Sequence, residues 1–77
     1  MFDLYVLDTC PYCKKVMDFI DSKGIKYHKF DTLNKDNVLR LLSIGGKDQV
    51  PFLYDEENDE KIYESDNIID YIRKING

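Results

Sequence analysis

Residues 2–7, Phe-Asp-Leu-Tyr-Val-Leu, are rich in aromatic and aliphatic types and end at Asp8-Thr9, and by Pro11 they have given way to apolar residues at helical spacing. This strand-to-helix change, with Cys10 and Cys13 at the junction, constrains the fold more than any other feature. Val16, Met17, Phe19 and Ile20 mark the apolar face of the predicted helix. Pro11 suits its first turn, where a missing N–H costs nothing. Gly24 reads as its C-terminal stop. Residues 25–30, Ile-Lys-Tyr-His-Lys-Phe, alternate apolar and polar types and predict a half-buried strand. A strand–helix–strand unit of this kind implies a parallel pair with a right-handed crossover.

Asn34 is the expected N-cap of a second helix, with Val38, Leu39, Leu41 and Leu42 as its apolar face and Gly45-Gly46 as its end. Pro51 opens a short apolar run to Tyr54. The stretch 55–60 is a polar, solvated turn, and 61–64 is a returning strand close enough to form an antiparallel hairpin. Ser65 is the expected N-cap of a last helix, and Asp66 places negative charge in its first turn. Ile68, Ile69, Tyr71, Ile72 and Ile75 form its buried face. The order is βαβαββα, an α/β fold with a four-stranded mixed sheet and no internal repeat or linker.

With 77 residues the chain reads as a single domain over 1–77. A domain near this size buries only ~60% of the surface its unfolded chain exposes. Its chemistry is therefore expected at the surface, at the end of an element. The formal charge of −4, with no clustered basic face, argues against nucleic acid as a partner. No apolar run approaches the ~20 residues that span a bilayer. The N-terminus lacks the basic and apolar regions of a signal peptide. A cytoplasmic monomer without a membrane partner is the expectation.

Two cysteines are too few for a disulfide-stapled secreted domain, and their spacing suggests a redox pair. Helix N-termini expose unpaired N–H groups and a partial positive charge. Both favour a thiolate, and cysteines so placed have pKa values lowered from ~8.5 to ~3.5–7.5. Cys10 is thus the expected nucleophile. Cys13, about one helical turn later and more enclosed, is placed to attack a mixed disulfide on Cys10. Lys14 and Lys15 add nearby positive charge. Half of a zinc site also reads C-x-x-C, but no further cysteine exists and His28, in an alternating strand, is the sole histidine. No metal is expected. The 55–60 run lacks the spaced ligands and glycine of a calcium loop.

Cys10-Pro11-Tyr12-Cys13 after a first strand resembles the active site of dithiol glutaredoxins, and the resemblance spans the whole chain. It implies a thioredoxin-like fold with helices on both faces of the sheet. It implies a redox-active disulfide between Cys10 and Cys13, and glutathione as the reducing co-substrate. The family's Thr-Val-Pro segment, with a cis proline facing the active site, reads Gln49-Val50-Pro51 here. The small-polar-plus-acid pair that holds the γ-glutamyl end of glutathione reads Ser65-Asp66. Tyr12, inside the motif, is expected to flank the bound thiol. Tyr12, Gln49, Val50, Pro51, Ser65 and Asp66 are thus the implied glutathione contacts, and disulfide-containing proteins are the implied partners.

The run from Gln49 to Ile72 is also similar to the N-terminal domain of glutathione transferases. Those proteins continue into a helical second domain, which a chain ending at Gly77 is expected to lack. One departure stands out. Many glutaredoxins carry a lysine shortly before the first cysteine, whereas this chain has Asp8-Thr9. An acid facing the site would oppose a thiolate and repel a carboxylate. Arg40, Lys47 or Gln49 are the candidates to meet the glycyl carboxylate instead. The departure keeps open a glutathione-independent redoxin served by a thioredoxin-reductase-like partner. A glutathione-dependent iron–sulfur module is a further alternative, against which a proline after the first cysteine generally counts.

Overall fold

A computed structural model describes residues 1–76. The elements follow the expected order: β1 (Phe2–Val6), α1 (Pro11–Ser22), β2 (Tyr27–Asp31), α2 (Lys35–Gly45), β3 (Phe52–Asp55), β4 (Glu60–Tyr63) and α3 (Ser65–Asn76). The sheet order is β2-β1-β3-β4. β1 pairs parallel with β2 and antiparallel with β3, and β3 and β4 form the hairpin.

β1 is central and covered on both faces, which explains why Leu4, Tyr5 and Val6 are all fully buried. Their side chains alternate between two cores. Leu4, Val6 and Leu53 join Cys13, Val16 and Ile20 of α1 and Ile68, Ile69 and Ile72 of α3. Tyr5 and Phe52 meet Leu41 of α2 on the opposite face. Tyr5 stacks on Phe30 with ring centroids 4.8 Å apart. Phe52 and Tyr63 lie 4.5 Å apart on the same face. The junction that carries Cys10 and Cys13 leaves the sheet at the C-terminal end of the central strand β1.

Several expectations shift. β2 begins at Tyr27 rather than Ile25, because Ile25 completes the α1 cap. Gly24, at φ +68, donates to the Asp21 carbonyl and Ile25 to the Ile20 carbonyl, a Schellman closure with Ile20 and Ile25 in the same core. Asn34 caps α2 as expected, accepting from the Asp36 N–H at 2.9 Å. On α2 only Leu41 is fully buried, while Leu39 and Leu42 face outward. A short helix lying on large aromatic rings packs one ridge, here Leu41 and Ile44, and its neighbours rotate away. Ile75 on α3 is likewise exposed.

Asp55 is not part of a solvated turn. It ends β3 fully buried, accepting hydrogen bonds from the Tyr71 hydroxyl and from Asn58 Nδ2 at 2.8 Å. Ser65 is not the N-cap of α3 but its first residue. Glu64 precedes it at φ +72, and its carbonyl accepts the first helical bond from Ile68 at 3.0 Å.

Candidate active site

Cys10 is the N-cap residue of α1, with extended backbone (φ −85, ψ 118) and Pro11 opening the helix behind it. Its Sγ takes the place usually held by a serine or aspartate oxygen and accepts from the Cys13 N–H at 3.4 Å. Its carbonyl accepts from Lys14 N–H at 3.1 Å, so both ends of the residue are held by the first turn. Burial pushes the Cys10 thiol up. Hydrogen bonds from the Cys13 backbone, the Cys13 thiol and the Tyr12 backbone outweigh it and hold the pKa below the ordinary thiol value.

Cys13 faces the core and is completely buried. Burial is the main reason its pKa is pushed up to about 12. A hydrogen bond from the Leu7 backbone works against that, while Cys10 and the charge of Asp8 add to it. Both thiols are unpaired in this structure. The sulfur at the helix cap is therefore the more readily ionised of the two, and its neighbour beneath it is held as a thiol.

A cleft of about 300 Å³ opens beside this pair, lined by Tyr12, Gln49, Val50, Pro51, Glu64, Ser65 and Asp66. Three separate stretches of the chain converge here, and all six residues implied as contacts are among the lining. Tyr12 is exposed. The Val50–Pro51 peptide is cis, and Val50 lies outside the β3 ladder, which starts at Phe52. Glu64 is the lining residue that sequence reasoning missed. Its left-handed backbone costs a non-glycine residue about 1 kcal/mol or more, and nothing in composition or periodicity announces it.

The charges around the cleft differ from those expected. Asp66 is not free. It accepts from Lys15 Nζ at 2.8 Å, and that hydrogen bond and charge hold its carboxyl below the usual range. Asp8 turns to β2, where Lys29 Nζ lies 2.7 Å from its carboxylate. Of the three candidates for a glycyl carboxylate, Gln49 alone lines the cleft. Lys47 stacks over Tyr63 in an adjoining groove that shares Gln49 and Glu64 with it. Arg40 stands over Phe30 on the α2 side. His28 is a surface residue, with Nδ1 3.3 Å from Asp3. Among the described residues no group of three or more His, Cys, Asp and Glu is arranged to hold a metal ion.

Residues 4–77 match the family model described as glutathione S-transferase, N-terminal domain. The chain belongs to that family. This glutathione S-transferase N-terminal domain is also 36% identical over 76 residues to Glutaredoxin 2 of Escherichia coli (strain K12), an alignment covering 96% of this chain and 34% of that protein. The domain thus spans about a third of the length of the curated relatives it matches. Glutaredoxin 2 of Salmonella typhimurium, solved in complex with glutathione, superposes with a TM-score of 0.82 at 26% identity, covering all of this chain and 34% of that one. The glutaredoxin of Archaeoglobus fulgidus superposes at 0.79 with 22% identity, over 99% and 86% of the two chains. The thioredoxin-like fold that the resemblance implied is the fold these structures share.

Proposed function

We propose that this chain is a glutathione-dependent thiol–disulfide oxidoreductase acting on protein disulfides and glutathione mixed disulfides. The observation that carries the reading is the position of Cys10 Sγ at the cap of α1, beside a cleft built from Tyr12, Val50, Pro51 and Ser65. The Cys10 thiolate attacks the glutathionyl sulfur of a mixed disulfide, and the protein thiolate leaves and takes a proton from solvent. Cys10 is now joined to glutathione. A second glutathione thiolate then attacks that glutathionyl sulfur, freeing Cys10 and forming oxidised glutathione. For a protein disulfide, Cys10 instead forms the mixed disulfide with the protein. Cys13 loses its proton and attacks Cys10, releasing the second protein thiol and closing the Cys10–Cys13 disulfide, which two glutathione molecules reduce.

The bound peptide backbone is placed alongside Val50 as an added strand. The N-terminus of α3 and Asp66 receive its γ-glutamyl end, with Glu64 as a second carboxylate beside them. The likeness to a glutaredoxin solved with glutathione supports this arrangement. Lys29 supports it as well, because it pairs with the acid that favoured a glutathione-independent redoxin. Family membership also favours a second reading, transfer of glutathione to an electrophile. The buried Cys13 within reach of Cys10 favours exchange, since transfer needs no resolving thiol. We place the protein in the cytoplasm, where thiols are kept reduced.

The test is a coupled assay in which NADPH consumption is followed with glutathione and glutathione reductase, or with a thioredoxin reductase. Turnover with the first system is expected. Turnover with the second alone would overturn the glutathione assignment.

A further inference from the structure

A groove of about 500 Å³ adjoins the cleft and shares Gln49 and Glu64 with it. Four consecutive residues, Lys61 to Glu64, line it together with Lys47. Ile62 packs toward the core that α1 and α3 cover, and Tyr63 toward the core that α2 covers. Neighbours from opposite faces share one groove only where it follows the edge of the sheet. β4 is that edge, because it pairs with β3 alone. One side of its backbone therefore keeps N–H and C=O groups with which an extended chain can pair.

The charge of this groove is opposite to that of the chain. The formal charge is −4, and the cleft presents Glu64 and Asp66 with no cation. The groove sets Lys47 and Lys61 against Glu64 alone. Lys47 Nζ rests 5.6 Å from the centroid of the Tyr63 ring. Lys61 Nζ lies 4.0 Å from Asp59, the outer limit of an ion pair, and its side chain is 46% exposed. Both ammonium groups can therefore turn to a carboxylate on a bound chain at low cost. We propose that the groove holds the polypeptide of a target protein in extended form along β4, and that Lys47 and Lys61 favour targets with acidic residues a few positions from the reacting disulfide. The inference rests on the exchange reaction proposed above and names the class of protein that reaction serves. A tripeptide beside Val50 ends within the cleft. A longer chain leaving the cleft passes Gln49 and Glu64 and enters the groove.

The test follows single-turnover reduction of disulfide peptides by the pre-reduced protein. The peptides differ only in carrying glutamate, glutamine or lysine a few positions from the cysteine, on its N-terminal or its C-terminal side. In one of these placements the glutamate peptide should react about three- to tenfold faster than the lysine peptide, and high salt should shrink the gap. Lys61→Gln should lower that ratio about twofold. The double variant Lys47→Glu, Lys61→Glu should invert the order. Each ratio is taken within one protein, so a general loss of folding or activity cancels. Equal rates for all peptides in both placements, or a preference for glutamate that survives the double reversal, would overturn the inference and leave the exchange reading in place. A protein that shows the preference but is not recycled by glutathione would overturn the glutathione assignment and leave the groove standing. Failure to reduce any peptide disulfide would overturn the exchange reading and the inference with it.

Discussion

Lys29 reaches from β2 to within 2.7 Å of Asp8, tying the turn that precedes Cys10 to the edge of the sheet. The pair places a cation where a free acid would otherwise stand, and Asp8 is near enough to raise the pKa of Cys13. Removing Lys29 should strengthen that effect, and removing Asp8 should relieve it. Lys29→Met is expected to slow closure of the Cys10–Cys13 disulfide about two- to threefold, and Asp8→Asn to speed it by a similar factor. The double variant should fall near the Asp8→Asn protein. Rates of intramolecular resolution from a preformed Cys10–glutathione disulfide check this, and high salt should shrink the Lys29→Met effect.

The two thiols should also separate by function and by reactivity. Cys10→Ser is expected to abolish all activity. Cys13→Ser should retain deglutathionylation and lose dithiol reduction of protein disulfides. In Cys13→Ser the backbone donors to Cys10 Sγ remain, so alkylation of Cys10 by iodoacetamide should titrate below the ordinary thiol value of 9.0. In Cys10→Ser the Cys13 thiol should stay unreactive at neutral pH, because burial holds it as a thiol up to about 12. An active Cys10→Ser protein alongside a dead Cys13→Ser one would reverse the assignment.

How far the sequence anticipated this site depends on the kind of signal each residue carries. Cys10, Pro11 and Gly24 sit at element ends where local chemistry leaves a direct mark, and they fall in their expected places in the fold. Gln49, Val50, Pro51, Ser65 and Asp66 were legible through motif resemblance, and the fold brings them to one cleft. Glu64 was not legible, because a left-handed backbone at a non-glycine residue has no residue-type signature. Lys15 was visible only as nearby charge, since its partner depends on how α1 packs against α3. Asp55 misled because an acid beside other acids reads as solvated. Its burial depends on Tyr71, which is remote in sequence.

Gly45 illustrates a constraint that helix propensity alone gets wrong. It lies in the last turn of α2, where alanine would ordinarily gain up to about 1 kcal/mol. Here a β-carbon would collide with the Tyr63 hydroxyl and ring and press on Phe52. The Tyr63 hydroxyl in turn accepts from Lys47 N–H at 3.1 Å and donates to the Lys47 carbonyl at 2.9 Å. Gly45→Ala should therefore destabilise by about 1–3 kcal/mol, measured by urea unfolding. It should also weaken glutathione binding, because the segment that Tyr63 anchors leads directly to Gln49 and Val50. Tyr63→Phe keeps the ring and loses both hydrogen bonds, so it should weaken binding with a smaller loss of stability.

The Asp55–Tyr71 pair should set both pH limits of the domain. Burial raises the Asp55 carboxyl, but hydrogen bonds from Tyr71, Asn58 and the turn backbone outweigh it and leave the pKa below 3.8. A depressed carboxyl pKa stabilises the fold fully above the unfolded value, and that stability disappears as pH falls through the folded value. Tyr71 is the reverse case: burial, then the hydrogen bond to Asp55 and its charge, push the phenol up to about 12 from 10.0. Its contribution is complete below 10.0 and is lost as pH rises toward about 12. Tyr71→Phe should flatten the alkaline limb of the stability profile and cost about 1–3 kcal/mol at neutral pH, because the buried carboxylate loses a donor. Asp55→Asn should flatten the acid limb. Denaturant midpoints measured from pH 3 to 11 on the three proteins test both, and an unchanged alkaline limb in Tyr71→Phe would show that another group sets it.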